Sequence, residues 1–340
     1  MIFSGRLPFL LLAVSVVGPT YAAPQTVARL APTDTSVVQS EWRGPVISPI
    51  RCDADGNLYI REYVSGSPNN VITIIGPKGD KVTKTSLDSN PDLKKGKLND
   101  FGVGPDGYLY ELVQADHSAY VVSFKPDGSL SSATKLEKEF WPTKLATTGA
   151  LFLVSGTESP APGEPPKLFN GLFDASGKLV REVRFSNDPG QIKAEGPKAG
   201  SNKNYLEDKA SFPLQLGTAE ADLNGNFYVI RASEPPVAFV LNASGEFVRK
   251  LEIKNPEPGM RLVAAHVNGG RLAALLAQTD AEGQILKRVM IIVDISTGKA
   301  VQQYSVSSDL GSTFACYSGN DFGFVTTKDN KLAIQHARPE

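Results

Sequence analysis

A short frame of residues recurs along this chain and restricts what it can fold into: a glycine in a polar turn, with an aromatic residue three positions later in an apolar strand. The clearest copy is CDADGNLYI, in which Gly56 precedes Tyr59. The further copies are Gly107 with Tyr110, Gly149 with Phe152, Gly225 with Tyr228 and Gly319 with Phe322. A weaker copy, VNGGRLAALL, lies between the last two and brings the number of hairpin units to six. Units of about 40 to 50 residues built from short strands are typical of a β-propeller, in which each unit forms one blade.

The spacing therefore predicts an all-β fold, a six-bladed β-propeller of four-stranded antiparallel blades. A second glycine turn follows the first in most units, at Gly79, Gly128, Gly177, Gly245 and Gly298. The last unit has only three apolar strands, while one isolated apolar segment, QTVARLAP (25–32), precedes the first unit. We predict that this segment pairs with the final strand, KLAIQHAR, and completes the last blade. Such closure removes the open sheet edges that promote aggregation.

The N-terminus resembles a secretory signal peptide. Arg6 supplies a positive start, LPFLLLAVSVV an apolar middle, and Thr20-Tyr21-Ala22 a small-residue cleavage site. The apolar run is shorter than the roughly 20 residues that a membrane-spanning helix needs. We therefore predict cleavage near Ala22, export to the periplasm or beyond, no membrane span, and a single propeller domain over residues 23–340.

The overall charge excludes one class of partner. The formal net charge is −1, whereas a nucleic-acid-binding protein needs an excess of Lys and Arg along one face to neutralise phosphates. We expect no nucleic-acid partner, and we expect the protein to be a monomer.

The two cysteines, Cys52 and Cys316, occupy comparable places on the inner strands of the first and last units. Ring closure makes those units neighbours, and an exported protein meets oxidising surroundings, so we predict a disulfide between them. The register leaves an alternative open. Cys52 lies four residues before its turn glycine and Cys316 three before its own, so the two side chains would face opposite ways if the turns were identical.

The DxDGNLY inner hairpins and FxxDGK-like outer hairpins resemble those of NHL-repeat and TolB-like six-bladed propellers of secreted bacterial proteins. In NHL repeats an Asp commonly follows the inner strand, where this chain has IREY, ELVQ and VIRA, so it would be a divergent member. The hairpins are also similar to those of gluconolactonase and senescence-marker propellers. That second resemblance implies a calcium-dependent lactone hydrolase, although its metal ligands have no residue-by-residue match here.

A ligand funnel is expected on the face opposite the glycine turns, where the chain enters each inner strand. The residues at these entries are Arg43, Asp100, Lys144, Gln215, Arg261 and Ser312. Three are cationic and one is acidic, which disfavours a calcium cage of six or more oxygen ligands and suits an anionic group on a ligand. The other interpretation is a solvated rim of mixed charge.

The three histidines, His117, His266 and His336, share no local metal-binding spacing, so no zinc site is predicted. His266 lies on an inner strand, where it would either face the channel and act as a base near neutral pH or serve as a hydrogen-bonded packing residue. The chain has no G-x-S-x-G nucleophile elbow. The acidic stretch CDADGN lacks the remaining ligands of a calcium loop and is interpreted as part of a hairpin turn.

These observations favour an exported, non-catalytic scaffold that binds a protein, peptide or glycan on its loop face, without a cofactor. The alternative is a lactonase or esterase-type hydrolase, for which calcium would be the cofactor.

Overall fold

The computed structural model describes residues 28–40, 42, 46–62, 71–158, 167–185, 217–329 and 331–340. The predicted signal peptide and its cleavage site lie outside these residues, as do Arg43 and Gln215. All regular secondary structure in the described residues is β-strand. None of it forms a helix of the length and apolar character required to cross a membrane.

The strands are, in chain order, β1 (Ala28–Val37), β2 (Ile47–Cys52), β3 (Leu58–Glu62), β4 (Val71–Ile75), β5 (Val82–Lys84), β6 (Lys97–Val103), β7 (Leu109–Ala115), β8 (Ser118–Phe124), β9 (Leu130–Lys135), β10 (Trp141–Thr147), β11 (Leu151–Glu158), β12 (Lys167–Asp174), β13 (Leu179–Glu182), β14 (Gly217–Ala221), β15 (Phe227–Arg231), β16 (Val237–Leu241), β17 (Phe247–Glu252), β18 (Arg261–Asn268), β19 (Arg271–Thr279), β20 (Ile285–Asp294), β21 (Lys299–Val306), β22 (Thr313–Ser318), β23 (Asp321–Lys328) and β24 (Lys331–Pro339).

Four sheets contain four antiparallel strands each, taken consecutively from the chain: β2–β5, β6–β9, β10–β13 and β14–β17. The remaining strands form one eight-stranded sheet in the order β18-β19-β20-β21-β1-β24-β23-β22. The arrangement is propeller-like, and the large sheet is barrel-like. Its two halves contribute to one cluster of buried side chains, which includes Met290 and Phe324. β19, which its Ala and Leu content makes similar to a helix, is a strand buried on both faces, as its position in the repeat predicts.

The N-terminal strand explains why the described strands form five sheets and not the six separate ones predicted. β1 pairs antiparallel with β24, with Ala31 opposite Arg338 and Ser36 opposite Ile334, which confirms the predicted pairing of the two chain ends. It also pairs in parallel with β21, with Ala28 opposite Tyr304. A strand carries hydrogen-bonding groups on both edges. One edge of β1 pairs with β24, and the first residues of β1 pair with β21 through the other edge, so β1 joins β18–β21 to β22–β24 in one sheet. β1 also continues to Val37, beyond the predicted end of the segment at residue 32.

The first strands of the successive groups surround an axis. β2, β6, β10, β14, β18 and β22 lie beside one another in this order, and β22 lies beside β2. Clusters of buried apolar side chains fill the spaces between neighbouring groups. Tyr59, Phe101 and Phe124, for example, belong to the cluster between β2–β5 and β6–β9. Burial of this apolar surface provides the main favourable free energy of the fold.

The recurring glycine and aromatic frame has a direct structural basis in the first inner turn. Gly56 adopts φ 81°, a conformation that residues with a Cβ rarely adopt. The Tyr59 hydroxyl lies 2.9 Å from Asp53 Oδ2 in the same turn and 3.2 Å from the carbonyl oxygen of Gly107 in the next. Burial and the nearby Asp53 carboxylate raise the pKa of Tyr59, so its hydroxyl keeps its proton as a donor. The aromatic residue therefore ties one turn to its neighbour.

The predicted disulfide is present. Cys52 on β2 is bonded to Cys316 on β22, with a Cα–Cα distance of 5.5 Å. The register alternative fails because the two inner turns differ in length. Five residues separate the paired Cys52 and Leu58, whereas two separate the paired Ser318 and Asp321. Counting from the turn glycine therefore does not give the direction of the cysteine side chains.

Candidate functional site

A cavity of about 90 Å³ opens at the axis, on the face formed by the inner turns. Cys52, Glu220, His266 and Tyr317 contribute to its walls. A deeper cavity of about 50 Å³ shares several of these residues, including Glu220, and is also lined by Arg51. The first strands of the sheets thus converge on one continuous polar region.

Three charged or titratable side chains meet beneath the mouth of this region. The Nδ1 atom of His266 on β18 lies 2.9 Å from Oε1 of Glu220 on β14. The backbone N–H of Val267 donates to Glu220 Oε2 at 2.6 Å. Arg51 on β2 donates from Nη1 to Thr218 Oγ1 at 2.9 Å, and the same nitrogen lies 3.7 Å from Glu220 Oε1. Because β2 and β14 lie opposite each other in the circuit of first strands, Arg51 bridges the axis.

The electrostatics of this group keep Glu220 ionised. Its side chain is 13% exposed, and burial acts to raise its pKa. His266, Arg51 and the Val267 amide outweigh that effect and hold the pKa of Glu220 below its ordinary value. A carboxylate only accepts hydrogen bonds, so His266 donates through Nδ1–H. Nε2 is the ring nitrogen with no hydrogen-bond partner among the described residues.

One hydrogen-bond donor of Arg51 has no partner among the described residues. Its side chain is 6% exposed, and its Nε is buried with no hydrogen-bond partner within the described part of the chain. Buried polar atoms in native proteins are nearly always hydrogen-bonded, and an exception calls for an explanation such as a ligand or an ordered water. A residue that lines the deeper cavity therefore carries a buried donor that no described residue satisfies.

Two acidic residues at the mouth of the cavity use their carboxylates to stabilise the inner turns. Asp53 accepts four hydrogen bonds of 2.7–3.0 Å from donors of its own turn, and Asp222 accepts four of 2.6–3.0 Å in the equivalent turn. A carboxylate has about four lone-pair sites, so both are saturated. Across the described residues, no group of three or more His, Cys, Asp or Glu side chains is arranged to hold a metal ion.

Of the predicted ligand-facing residues that the structure describes, only His266 lines an axial cavity. Asp100 is 2% exposed, and its Oδ2 accepts the backbone N–H of Leu145 at 2.9 Å, joining β6 to β10. It was placed at a strand entry, but β6 begins at Lys97 and carries Asp100 into the sheet. Lys144 is half-buried, and Arg261 and Ser312 are exposed; neither axial cavity includes these three residues.

Sequence reasoning missed Arg51 and Glu220. The sequence does mark both residues, because each is a charged residue inside an inner strand: Arg51 in ISPIRC and Glu220 in GTAEA. A charge in such a place is rarely buried unless it is paired. The sequence does not show, however, that the two partners are each other.

The fold and the axial region define a propeller-like all-β protein, and comparisons with known proteins agree at that level. No protein-family model matches the chain, and the search of curated proteins found no match. The chain is similar to the solved structure of a DUF4221 family member from Bacteroides vulgatus, with a TM-score of 0.53 and 7% identity over 93% of this chain and 99% of that one. A protein of unknown function from Bacteroides caccae gives a TM-score of 0.44 at 16% identity, over 75% of this chain and 80% of that one. The likeness to the Bacteroides vulgatus structure shows the fold alone, and the resemblance to NHL-repeat, TolB-like and gluconolactonase propellers stays a prediction.

Proposed function

We propose that residues 23–340 form an exported, non-catalytic binding scaffold that receives one polar side chain of a protein or peptide partner in its axial cavity. In this proposal the ring has six units, and the eight-stranded sheet represents two of them, β18–β21 and β22–β24 with β1. The closed circuit of first strands supports that count. The disulfide between Cys52 and Cys316 supports export, because such bonds persist in oxidising compartments.

The observation that carries the proposal is the convergence of Arg51, Glu220 and His266 on the axial cavities, with an Arg51 side chain whose Nε has no hydrogen-bond partner among the described residues. A side chain that enters from the turn face and offers a hydrogen-bond acceptor would meet this polar lining, and a small movement of the Arg51 guanidinium would bring Nε within its reach. Arg51 is neutralised by Glu220, and the carboxylates of Asp53 and Asp222 stand at the mouth. This setting favours a neutral acceptor, such as an amide or a hydroxyl, over an anionic one.

The size of the cavity points to the same kind of ligand. Sites for free small molecules commonly enclose about 300–1,000 Å³, whereas the axial cavity encloses about 90 Å³. That volume suits a single side chain whose remaining contacts lie on the surrounding turns. Of the three ligand classes expected from the sequence, a protein or peptide fits this cavity best.

The test is selection of a random peptide library on the wild-type protein, followed by calorimetric titration of the enriched peptides. Ala54 is exposed in the first inner turn and lines the cavity, so Ala54→Trp should block its mouth without touching the core. The matched control is Ala243→Trp, at an exposed place in an outer turn. We expect Ala54→Trp to weaken binding by about tenfold or more and Ala243→Trp to leave it unchanged. Equal affinities in all three proteins, or no enriched peptide, would overturn the proposal.

One observation favours a hydrolase as the second candidate. Glu220 orients His266 as a carboxylate orients a catalytic histidine, and His266 lines the axial cavity. Such a pair is able to activate a water molecule toward an ester or lactone. Turnover of nitrophenyl acetate or a γ-lactone that disappears in His266→Gln would favour this function, with or without added calcium, and would reject a purely binding role.

A further inference from the structure

A second, larger cavity lies on the opposite face, where the chain enters β10. It encloses about 330 Å³, within the range typical of small-molecule sites, and shares none of its described lining residues with the axial cavities. The residues that line it are His117, Lys138, Glu139, Phe140, Trp141 and Glu158. They come from the β7–β8 turn, the segment before β10 and the end of β11.

The cavity has an aromatic wall. Trp141 is 47% exposed, while its neighbour Phe140 is 3% exposed and packs on Phe169 with ring centroids 4.9 Å apart. The His117 ring meets the Trp141 ring edge-on, at 6.0 Å and 89°. The imidazole of His117 therefore supports the indole from one side, and the rest of the indole contributes an exposed surface to the cavity. A large aromatic surface that remains accessible in this way is suited to stacking against a ligand.

The backbone that presents His117 is unusual. Asp116 and His117 form a two-residue turn between the paired Ala115 and Ser118, with φ of 44° and 63°. Both are left-handed, a conformation for which two-residue hairpin turns normally use Asn-Gly or Asp-Gly. Residues held in such conformations are concentrated at ligand-binding and catalytic sites. Here the turn sets an imidazole, with its hydrogen-bonding nitrogens, beside the indole.

The charges in the cavity select against an ionic ligand. Lys138 Nζ lies 2.5 Å from Glu158 Oε1 and 4.5 Å from the Phe169 ring centroid. The ammonium group of Lys138 therefore already occupies the place beside this carboxylate and ring that a cationic ligand would take. Glu139 adds a second carboxylate, exposed at the rim, which would repel an anion. The lining thus offers hydrogen-bond acceptors and donors around an aromatic face, with little net charge.

We propose that this cavity is a binding site for a neutral saccharide. The apolar face of a pyranose ring would lie against Trp141, and its hydroxyl groups would exchange hydrogen bonds with Glu139, Glu158, Lys138 and His117. Hydroxyls both donate and accept, so they match a lining of carboxylates, an ammonium group and an imidazole. The proposal concerns a different face from the axial cavity and does not depend on the function proposed above.

The experiment is calorimetric titration with methyl glycosides of glucose, galactose, mannose and N-acetylglucosamine and with their disaccharides. We expect at least one probe to bind the wild-type protein, with about a tenfold or greater loss of affinity in Trp141→Ala and a smaller loss in Trp141→Phe. Glu139→Gln should weaken binding. The matched control is Glu182→Gln, because Glu182 lies 3.5 Å from Lys138 Nζ but does not line the cavity.

Several outcomes separate this proposal from its competitors. Binding that survives Trp141→Ala unchanged, or the absence of binding by every saccharide probe, would overturn it. Preferential binding of tetramethylammonium would identify a cation site instead. If Trp141→Ala does not fold, judged by circular dichroism, the Trp141→Phe and Glu139→Gln variants decide. Ala54→Trp should bind the saccharide normally, so failure here and failure of the axial proposal are distinguishable.

Discussion

Arg51 Nη1 lies 2.9 Å from Thr218 Oγ1, and this hydrogen bond crosses the axis from β2 to β14, between strands that are 167 residues apart in the chain. The same guanidinium lies beside Glu220, which in turn holds His266. One buried polar group therefore connects three of the first strands and lies beneath the axial cavity.

Removal of Arg51 alone should be strongly destabilising. Arg51→Met leaves the Glu220 charge buried with less compensation, and loss of one partner of a buried pair costs about 3–5 kcal/mol. The double variant Arg51→Met/Glu220→Gln removes both charges and should recover part of the free energy of unfolding, as measured by urea denaturation. Lys250→Met is the control, since Lys250 and Glu252 form an exposed pair at 3.3 Å and its loss should cost less than about 1 kcal/mol. A double variant no more stable than the single one would contradict this prediction.

Stability should depend on pH through Glu111. Burial raises the pKa of this carboxyl from 4.5 to about 7, against the opposing effects of the Thr85 hydroxyl, which donates to it at 2.7 Å, and of Arg61. Below about pH 4.5 the carboxyl is protonated in both states and adds no cost. Between pH 4.5 and 7 the unfolded chain releases the proton first, so the free energy of unfolding falls as pH rises and then levels off above 7.

The size of this effect follows from the shift and amounts to roughly 3 to 4 kcal/mol at most. Glu111→Gln should abolish it, and the comparison is made by urea denaturation of both proteins across pH 4 to 8. Parallel stability curves for the two proteins would show that Glu111 does not titrate as described.

Loss of the disulfide should destabilise the protein. Cys52 and Cys316 are separated by 264 positions, and the crosslink restricts the unfolded chain more when the loop is long. We expect Cys52→Ala/Cys316→Ala to lower the free energy of unfolding by about 2–5 kcal/mol. Thiol titration of the unfolded, unreduced wild-type protein should detect no free thiol, and two thiols would reject the crosslink.

Two glycines allow the free-energy cost of close packing to be measured separately from the cost of backbone conformation. Gly177 and Gly283 have φ of 84° and 83°, but a Cβ at Gly177 would lie 2.1 Å from the Lys135 carbonyl oxygen, whereas one at Gly283 meets nothing within 4 Å. Gly283→Ala should cost the conformational strain of about 1–2 kcal/mol. Gly177→Ala should cost about 1–3 kcal/mol more, because the outer turn must move away from β9. Thermal unfolding of the two variants provides the measurement, and equal losses would indicate that the turn relaxes freely.

The local features of the fold were predictable because they are encoded within a few neighbouring residues. Gly56 and Tyr59 lie in one turn, and their spacing recurs wherever the same hairpin forms. The pairing of β1 with β24 and the bond between Cys52 and Cys316 also followed, since each depends only on the ends of a closed ring being neighbours.

The residues predicted to form a ligand rim show that the sequence does not predict the tertiary surroundings of individual side chains. Asp100 was expected to face a ligand and instead accepts the backbone N–H of Leu145. Trp141 and His117, which meet in the larger cavity, carry no common motif, because their contact depends on how the β7–β8 turn approaches the start of β10.

The sequence by itself determined that this protein is built from repeated glycine-turn hairpins with joined ends, because turn conformation and strand pattern are properties of short segments. Only the tertiary structure decided that β1 links two groups of strands into one sheet and that Arg51, Glu220 and His266 meet at the axis. The physical reason is distance along the chain. Arg51 is more than a hundred residues from Glu220 and becomes its neighbour only when the ring has closed, and burial then leaves each charge dependent on the partner that closure provides.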